Sequence, residues 1–521
     1  MIFRKKSVSP FSKITLADRT IIVLVLLAYL VFQFPFLNLD LWNDEIYTLK
    51  HFTFVSPLQT VTDYHVPNNH IFFNLVNHFY LLLIGEESVY SLMDHPWVLR
   101  VFTLVYALGT IFFTYKCAEK IMGRKGALLS IIILCTTIPF YNFAVEIRGY
   151  CLAAFLLSAI AYFTFRFLET SSRISLCIIV IASAAAVYTI PLCLYSMASI
   201  LIFLGAMVIM ALIKKSSTEE DRVNRIHSLR IHISVMVAIT SGVLLSMICY
   251  AIIFDLVFFN EYVVPDTAFD LAGSGLATQK VFVAFFTHRY WLFPLIAAGL
   301  FATIYQLIVS KNYKAFVSFY FLAIMLVFPF VVSLLRKDAA PDRTYVNLIP
   351  FFSMLIAWMI NGLFVFVTVW KGVIINASVA LYCFVILSLQ QKAVGEHLLN
   401  DIQTSRRSHD IYFNYYLQHF RPLSVVSNFK ATAYNDSSFV VIRDSEPHDL
   451  PEYLNKFGIP YHDFSLINST MMAGKKVYLF SRYTNEVMSA FFQMEHSCRT
   501  KLVSEGISYH NLFELEGQKN P

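Results

Sequence analysis

The sequence predicts an all-α polytopic membrane protein. It would have about eleven transmembrane helices, interfacial helices in a long first outer loop, and a small C-terminal α/β extramembrane domain. Three observations lead there. Of 521 residues, 57% are hydrophobic and only 14% charged, more apolar surface than a water-soluble core of this size can hide. The apolar residues fall in uncharged runs of about 20, the length that crosses a bilayer. Lysine and arginine collect in alternate loops, as they do on the cytoplasmic side of membrane proteins.

The elements follow in chain order. Arg4, Lys5, Lys6, Lys13 and Arg19 precede an apolar run with no small-residue cleavage site after it, so 20–37 reads as a retained first span. Further spans are expected at 97–121, 126–142, 149–168, 174–190, 191–213, 232–256, 290–310, 315–335, 345–369 and 373–391. The stretch from Ile174 to Ile213 is twice the needed length, so it divides near Pro191. With the N-terminus inside, the inner loops hold Lys116, Lys120, Arg124, Lys125, Arg166, Arg173, Lys214, Lys215, Arg222, Arg225 and Arg230. The outer loops hold few basic residues, among them Lys50, Arg148, Arg336 and Arg343. An odd number of spans then puts the C-terminus outside.

Two domains follow: 1–391, a transmembrane body with its first outer loop at 38–96, and 392–521, a non-cytoplasmic tail of balanced charge. In the tail, Phe439–Arg443 and Lys476–Ser481 read as strands, and Leu450–Phe457 and Asn485–Leu502 as helices. Asn435-Asp436-Ser437 and Asn468-Ser469-Thr470 match glycosylation sequons. The eight cysteines lack metal-site spacing and read as buried small hydrophobes.

The first outer loop is unusual. From His70 to Ile84, Phe72, Leu75, Val76, Phe79, Leu82 and Leu83 make an apolar helical face, and His70, Asn74, Asn77 and His78 a polar one. Such a helix is too short to span and suits the membrane interface, or a packed or re-entrant position. Before it lie Leu41-Trp42-Asn43-Asp44-Glu45 and the polar cluster Asp63-Tyr64-His65-Val66-Pro67-Asn68-Asn69-His70. Adjacent carboxylates at a membrane surface need water or a partner. They also suit the first turn of a short helix, and Asn69 suits an N-cap. Two other outer mouths carry charge: Glu146-Ile147-Arg148-Gly149-Tyr150 and the stretch Arg336–Arg343 with Thr344-Tyr345. Arginine on this side fits either an ion pair with Glu146 or an anion site, since guanidinium groups bind phosphate bidentately.

In this order, four motifs resemble the GT-C superfamily of membrane glycosyltransferases, in particular its family-39-like branch of protein O-mannosyltransferases and aminoarabinose transferases. They are Asp44-Glu45 after the first span, Asp63-x-His65-x-Pro67-Asn68-Asn69-His70 with Leu99-Arg100, Glu146-x-Arg148-x-Tyr150, and Arg343-x-Tyr345 with Pro350. The resemblance covers roughly residues 15–370 and omits the tail. It implies an enzyme that takes a sugar from a polyprenyl-phosphate donor to an acceptor lipid, glycan or protein outside the plasma (inner) membrane. By resemblance, Asp44 is the general base and Glu45 supports the loop or binds the acceptor. Arg148, Arg343 and Tyr345 hold the donor phosphate, while Asp63, His65, Asn69, His70, Glu146 and Tyr150 bind substrate or shape the site. Many relatives have two prolines where this chain has Val66, Pro67, Asn68 and Asn69, which leaves donor sugar and acceptor class open. No cofactor, essential metal or nucleic-acid partner is expected. A transporter or flippase is the rival reading, against which stand the lack of an internal repeat and the charges gathered at the outer mouths.

Overall fold

The computed structural model describes residues 16–41, 43–213, 218–260, several positions within 297–308, and 313–336, 342–366, 422–442, 449–464, 476–481, 498–504 and 511–517. They fall into two compact units. One gathers residues 1–34, 56–77 and 99–393; the other gathers 35–55, 78–98 and 394–521.

The first unit is helical. Its helices are α1 (Leu16–Gln33), and then, after α2 of the other unit (Asn43–Thr48), α3 (Pro57–Thr62) and the start of α4 (Ile71–Ile84), as far as Asn77. After α5 of the other unit (Val89–Leu92) come α6 (Trp97–Cys135), α7 (Ile138–Phe143), α8 (Tyr150–Thr170), α9 (Arg173–Thr189) and α10 (Cys193–Ile213). Then follow α11 (Glu219–Tyr250), α12 (Phe254–Phe258), α13 (Tyr313–Arg336), a 3-10 turn (Asp342–Leu348) and α14 (Ile349–Phe366). Among the described residues, six helical segments are long and apolar enough to cross a membrane: 97–135, 150–170, 193–213, 219–258, 315–336 and 343–361. Shorter apolar helices lie at 20–36, 71–84 and 173–189. The chain is an integral membrane protein. About eleven spans were expected; 373–391 lies outside the described residues, and 290–310 lies there in part.

Several breaks have plain causes. Gly123 takes φ 79° inside α6, a conformation that favours glycine, and divides it where two spans were expected. Ile190 is extended before Pro191, whose ring disfavours a helical predecessor, so α9 and α10 separate there. The core of the unit is α8, buried along nearly its whole length. Between α9 and α11, a Cβ on Gly242 would meet the Val180 carbonyl oxygen at 2.4 Å, so only glycine allows that approach. Ser246 and Tyr250 of α11 donate to the carbonyls of Ala184 and Val187 at 2.8 and 2.9 Å. Cys117, Cys135, Cys151 and Cys193 are buried as expected, but Cys177 and Cys249 are exposed on the apolar flanks of α9 and α11.

The second unit holds the tail and the stretches 35–55 and 78–98. Helices α15 (Pro422–Thr432) and α16 (Asp449–Lys456) accompany strands β1 (Ser438–Ile442), β2 (Tyr461–Asp463), β3 (Lys476–Ser481), β4 (Cys498–Ser504) and β5 (Asn511–Gly517). The sheet order is β2-β1-β3-β5-β4, with β1 parallel to both β2 and β3, and β5 antiparallel to both β3 and β4. Val441, Val477, Leu479, Phe513 and Leu515 form its core. One expectation is corrected. The helix expected over Asn485–Leu502 cannot extend through its end, because Cys498–Ser504 is a strand. Its register sets Lys501 opposite Glu514, a cross-strand pairing of opposite charge. The remainder of that stretch, and the Asn468 sequon, lie outside the described residues.

Candidate functional site

In the first unit the site is built around the N-terminus of α8. A tight turn brings the Arg148 amide to the Glu146 carbonyl at 2.7 Å and points Arg148 inward, where it is 1% exposed. Its Nη2 donates to Asn68 Oδ1 at 2.9 Å, and its guanidinium lies 5.7 Å from the centre of the Tyr150 ring. The Tyr150 ring also meets His70 and Phe143 edge to face, each at 4.8 Å.

His70 fixes the chemistry of this corner. The Gly149 N–H donates to His70 Nδ1 at 2.8 Å. A backbone N–H can only donate, so Nδ1 carries no proton and the neutral ring keeps its proton on Nε2. Burial first, then the positive charges of Arg148 and Arg343, hold the His70 pKa well below the usual histidine value. Arg343 therefore belongs to the same electrostatic neighbourhood. Gly149 is required by contact: a Cβ there would meet Thr189 Cγ2 at 2.7 Å and His70 Nδ1 at 2.9 Å. The result is two guanidinium groups and a neutral N–H donor near the positive end of a 21-residue helix, a setting suited to phosphate.

The loop leading to His70 is held by amides. Asn69 Nδ2 donates to the carbonyls of Thr60 and Asp63 at 2.8 and 2.7 Å, and Asn69 Oδ1 accepts from Asn74 at 2.9 Å. Asn69 is thus a loop brace and not the N-cap it was expected to be. The Asn74 amide bonds to the His70 carbonyl, so His70 holds the cap position and α4 starts at Ile71. Asp63 accepts from the backbone N–H of His65 and pairs with its exposed ring, a surface turn. Helix α4 turns its polar face inward: Asn74 and Asn77 are 0% and 1% exposed, whereas Phe79, Leu82 and Leu83 are exposed. That is the pattern of a helix with apolar residues toward lipid.

Of the remaining expected residues, Tyr345 is buried, stacks on Phe330 at 4.9 Å and shares a hydrogen bond with Ser333 at 2.9 Å. It fastens the 3-10 turn carrying Arg343 to α13. Glu146 is buried beside Arg148 in sequence. Tyr64, Asn68 and Gly149 join the corner without having been assigned a role from sequence. Tyr64 is buried, and burial and then Tyr150 raise its hydroxyl pKa. Arg100, in the first turns of α6, is also fully buried.

In the second unit, Asp44 and Glu45 occupy the first turn of α2, where the helix dipole favours carboxylates. Asp44 is half-buried and Glu45 is 0% exposed. Helix α2 runs into a π turn, Leu49–Thr53, a local widening often found at functional positions.

No protein-family model and no curated protein matches the sequence. Solved structures do. ArnT from Cupriavidus metallidurans in the apo state gives a TM-score of 0.52 at 13% identity, covering 95% of this chain and 98% of that one. ArnT bound to undecaprenyl phosphate gives 0.51 at 13% identity, covering 96% and 99%. An Archaeoglobus fulgidus oligosaccharyltransferase complex with zinc and sulfate gives 0.47 at 13% identity, covering 91% and 69%. The likeness to ArnT establishes a GT-C fold.

Proposed function

We propose that this chain is a membrane glycosyltransferase that moves a sugar from a polyprenyl-phosphate donor to an acceptor on the non-cytoplasmic side of the plasma (inner) membrane. The observation that carries this reading is the corner in which the charges of Arg148 and Arg343 act on a neutral, Nε2-protonated His70, within a fold shared with ArnT. Undecaprenyl phosphate, the molecule bound in one ArnT structure, supports the donor class. The acceptor is a lipid, glycan or protein.

In this mechanism the two guanidinium groups and the His70 Nε2–H bind the donor phosphate. Asp44 takes the proton of the acceptor hydroxyl or amine. The acceptor atom bonds to the anomeric carbon as the carbon–oxygen bond to phosphate breaks, with inversion. The electron pair leaves on the polyprenyl phosphate, whose added negative charge the arginines stabilise. Glu45, Asp63, His65, Asn69, Glu146, Tyr150 and Tyr345 shape the site or bind the acceptor, and no metal enters the step.

The test compares undecaprenyl phosphate binding in the parent, Arg148→Ala and Arg343→Ala. Each variant is expected to lose affinity at least about tenfold, equivalent to about 1.4 kcal/mol; unchanged binding in both rejects the assignment. Mass spectrometry of lipid-linked sugars in cells lacking the gene is expected to reveal an accumulated donor. An accumulation confined to the cytoplasmic leaflet indicates a flippase instead. A tag at residue 521 accessible only from the cytoplasm would overturn the orientation.

A further inference from the structure

The second unit contains a set of contacts that its sheet does not need. Segment 40–55, which carries Asp44 and Glu45, is fastened on both sides of them by side chains from the tail. Before the pair, Asp40 Oδ2 accepts from the backbone N–H of Leu423 at 2.9 Å, satisfying a donor in the first turn of α15. The Leu41 N–H donates to the hydroxyl of Tyr453 at 3.0 Å, and Tyr453 is fully buried. After the pair, the π turn brings Lys50 to Glu452 Oε1, while the Tyr90 hydroxyl donates to Glu452 Oε2 at 2.7 Å. Glu452 is 7% exposed; burial disfavours its charge, but the bonds from Lys50 and Tyr90 outweigh that and hold its pKa below the usual range. Lys456, one turn on, donates to Asp94 and to the Tyr90 carbonyl, both at 2.7 Å.

Three neighbouring residues of the short helix α16, Glu452, Tyr453 and Lys456, therefore reach three separate stretches of the first outer loop. Residues of the same loop also close on themselves, since His78 Nδ1 bonds the Thr53 carbonyl at 2.8 Å. Together these contacts bracket α2 between tail and loop.

We infer that the C-terminal domain is a positioning element of the transfer reaction: α16, through Glu452 and Tyr453, sets where Asp44 stands. Glu452, Tyr453 and Lys50 are positioning residues, acting through α2 and not on the substrate. This rests on Asp44 being the base. A misplacement of about 1 Å in a reacting group can cost roughly 100-fold in rate. The tail, which carries none of the four sequence motifs, thereby acquires a role in turnover.

The experiment uses the full-length chain. Lys50→Glu, Glu452→Lys, the double swap, Tyr453→Phe and Asp44→Asn are each expressed in cells lacking the native gene. Three quantities are read: turnover, as clearance of the accumulated lipid-linked sugar; backbone hydrogen exchange over 40–55; and undecaprenyl phosphate affinity. The single charge reversals are expected to slow turnover roughly 10- to 100-fold and to speed exchange over 40–55, with undecaprenyl phosphate affinity unchanged. The double swap is expected to recover most of both losses, which a general folding defect would not do. Tyr453→Phe, which keeps the ring, is expected to show a smaller loss of the same kind. Full turnover in the single reversals, alongside an inactive Asp44→Asn, overturns the positioning role while leaving the base assignment standing. A fully active Asp44→Asn overturns the base assignment and the positioning role with it.

Discussion

The corner at His70 and the segment at Asp44 are held in opposite ways. Around His70, the fixing contacts come from packed helices and their connecting turns: a glycine with no room for a methyl group, a guanidinium seated on an aromatic ring, and a chain of amides. Around Asp44, a six-residue helix is too short to hold itself and depends on side chains from the far end of the chain. In the proposed mechanism, the first arrangement suits a group that meets the same phosphate in each cycle, and the second lets the tail govern the group that meets the acceptor. Donor recognition should thus withstand changes in the tail, and turnover should not.

The largest effect is expected at the base. Asp44→Asn keeps the shape of the side chain and removes its proton acceptor, so turnover should fall about 10²- to 10⁴-fold while undecaprenyl phosphate affinity is retained. A loss of affinity instead would erase the contrast drawn above. Next is Gly149→Ala, which adds a methyl group against His70 and Thr189. An overpacking cost of about 1–3 kcal/mol should appear both as a lower melting temperature and as weakened donor binding.

A pH experiment sharpens the electrostatic side. The folded-state pKa of His70 lies below its unfolded value. Below about pH 6.5 the unfolded chain therefore binds a proton that the folded chain refuses. The His70 contribution to stability is complete above that pH and is lost as pH falls toward the folded pKa, by at most about 1.4 kcal/mol per pH unit. In His70→Gln, melting temperature should change less between pH 7 and pH 5 than in the parent; an identical slope would argue against a neutral histidine there. The smallest effect is expected for Tyr345→Phe. It removes the bond to Ser333 but keeps the stack on Phe330, at a cost of about 1 kcal/mol in stability.

Much of the membrane body was readable because a helix in lipid has few alternatives. The break at Pro191 followed from length and from proline's effect on its predecessor, and the apolar face of α4 from its period. The arginine corner was legible only as separate charges on an unusual side. What joins Arg148, His70 and Asn68 is the turn at Gly149, which must leave room for a ring 79 residues earlier, and spacing carries no trace of that. Asn69 reads as a cap because asparagine favours caps, but its amide is drawn to Thr60 and Asp63 instead. Strand β4 depends on partners in β5, which local pattern does not supply. The bracket around α2 was least legible of all, since its bonds join residues 362 to 412 positions apart.

Helix α4 has a consequence for assembly. Its inward edge buries the carboxamides of Asn74 and Asn77, the first bonded to Asn69 in the turn before it, and its outward edge is grease. Cut free, a peptide of this sequence could wet its oily side in a bilayer but would strand those amides, at several kcal/mol for each group left dry. The stretch that most resembles a surface-seeking amphipath is therefore masonry: it stays where the surrounding wall holds it and does not wander over the lipid on its own.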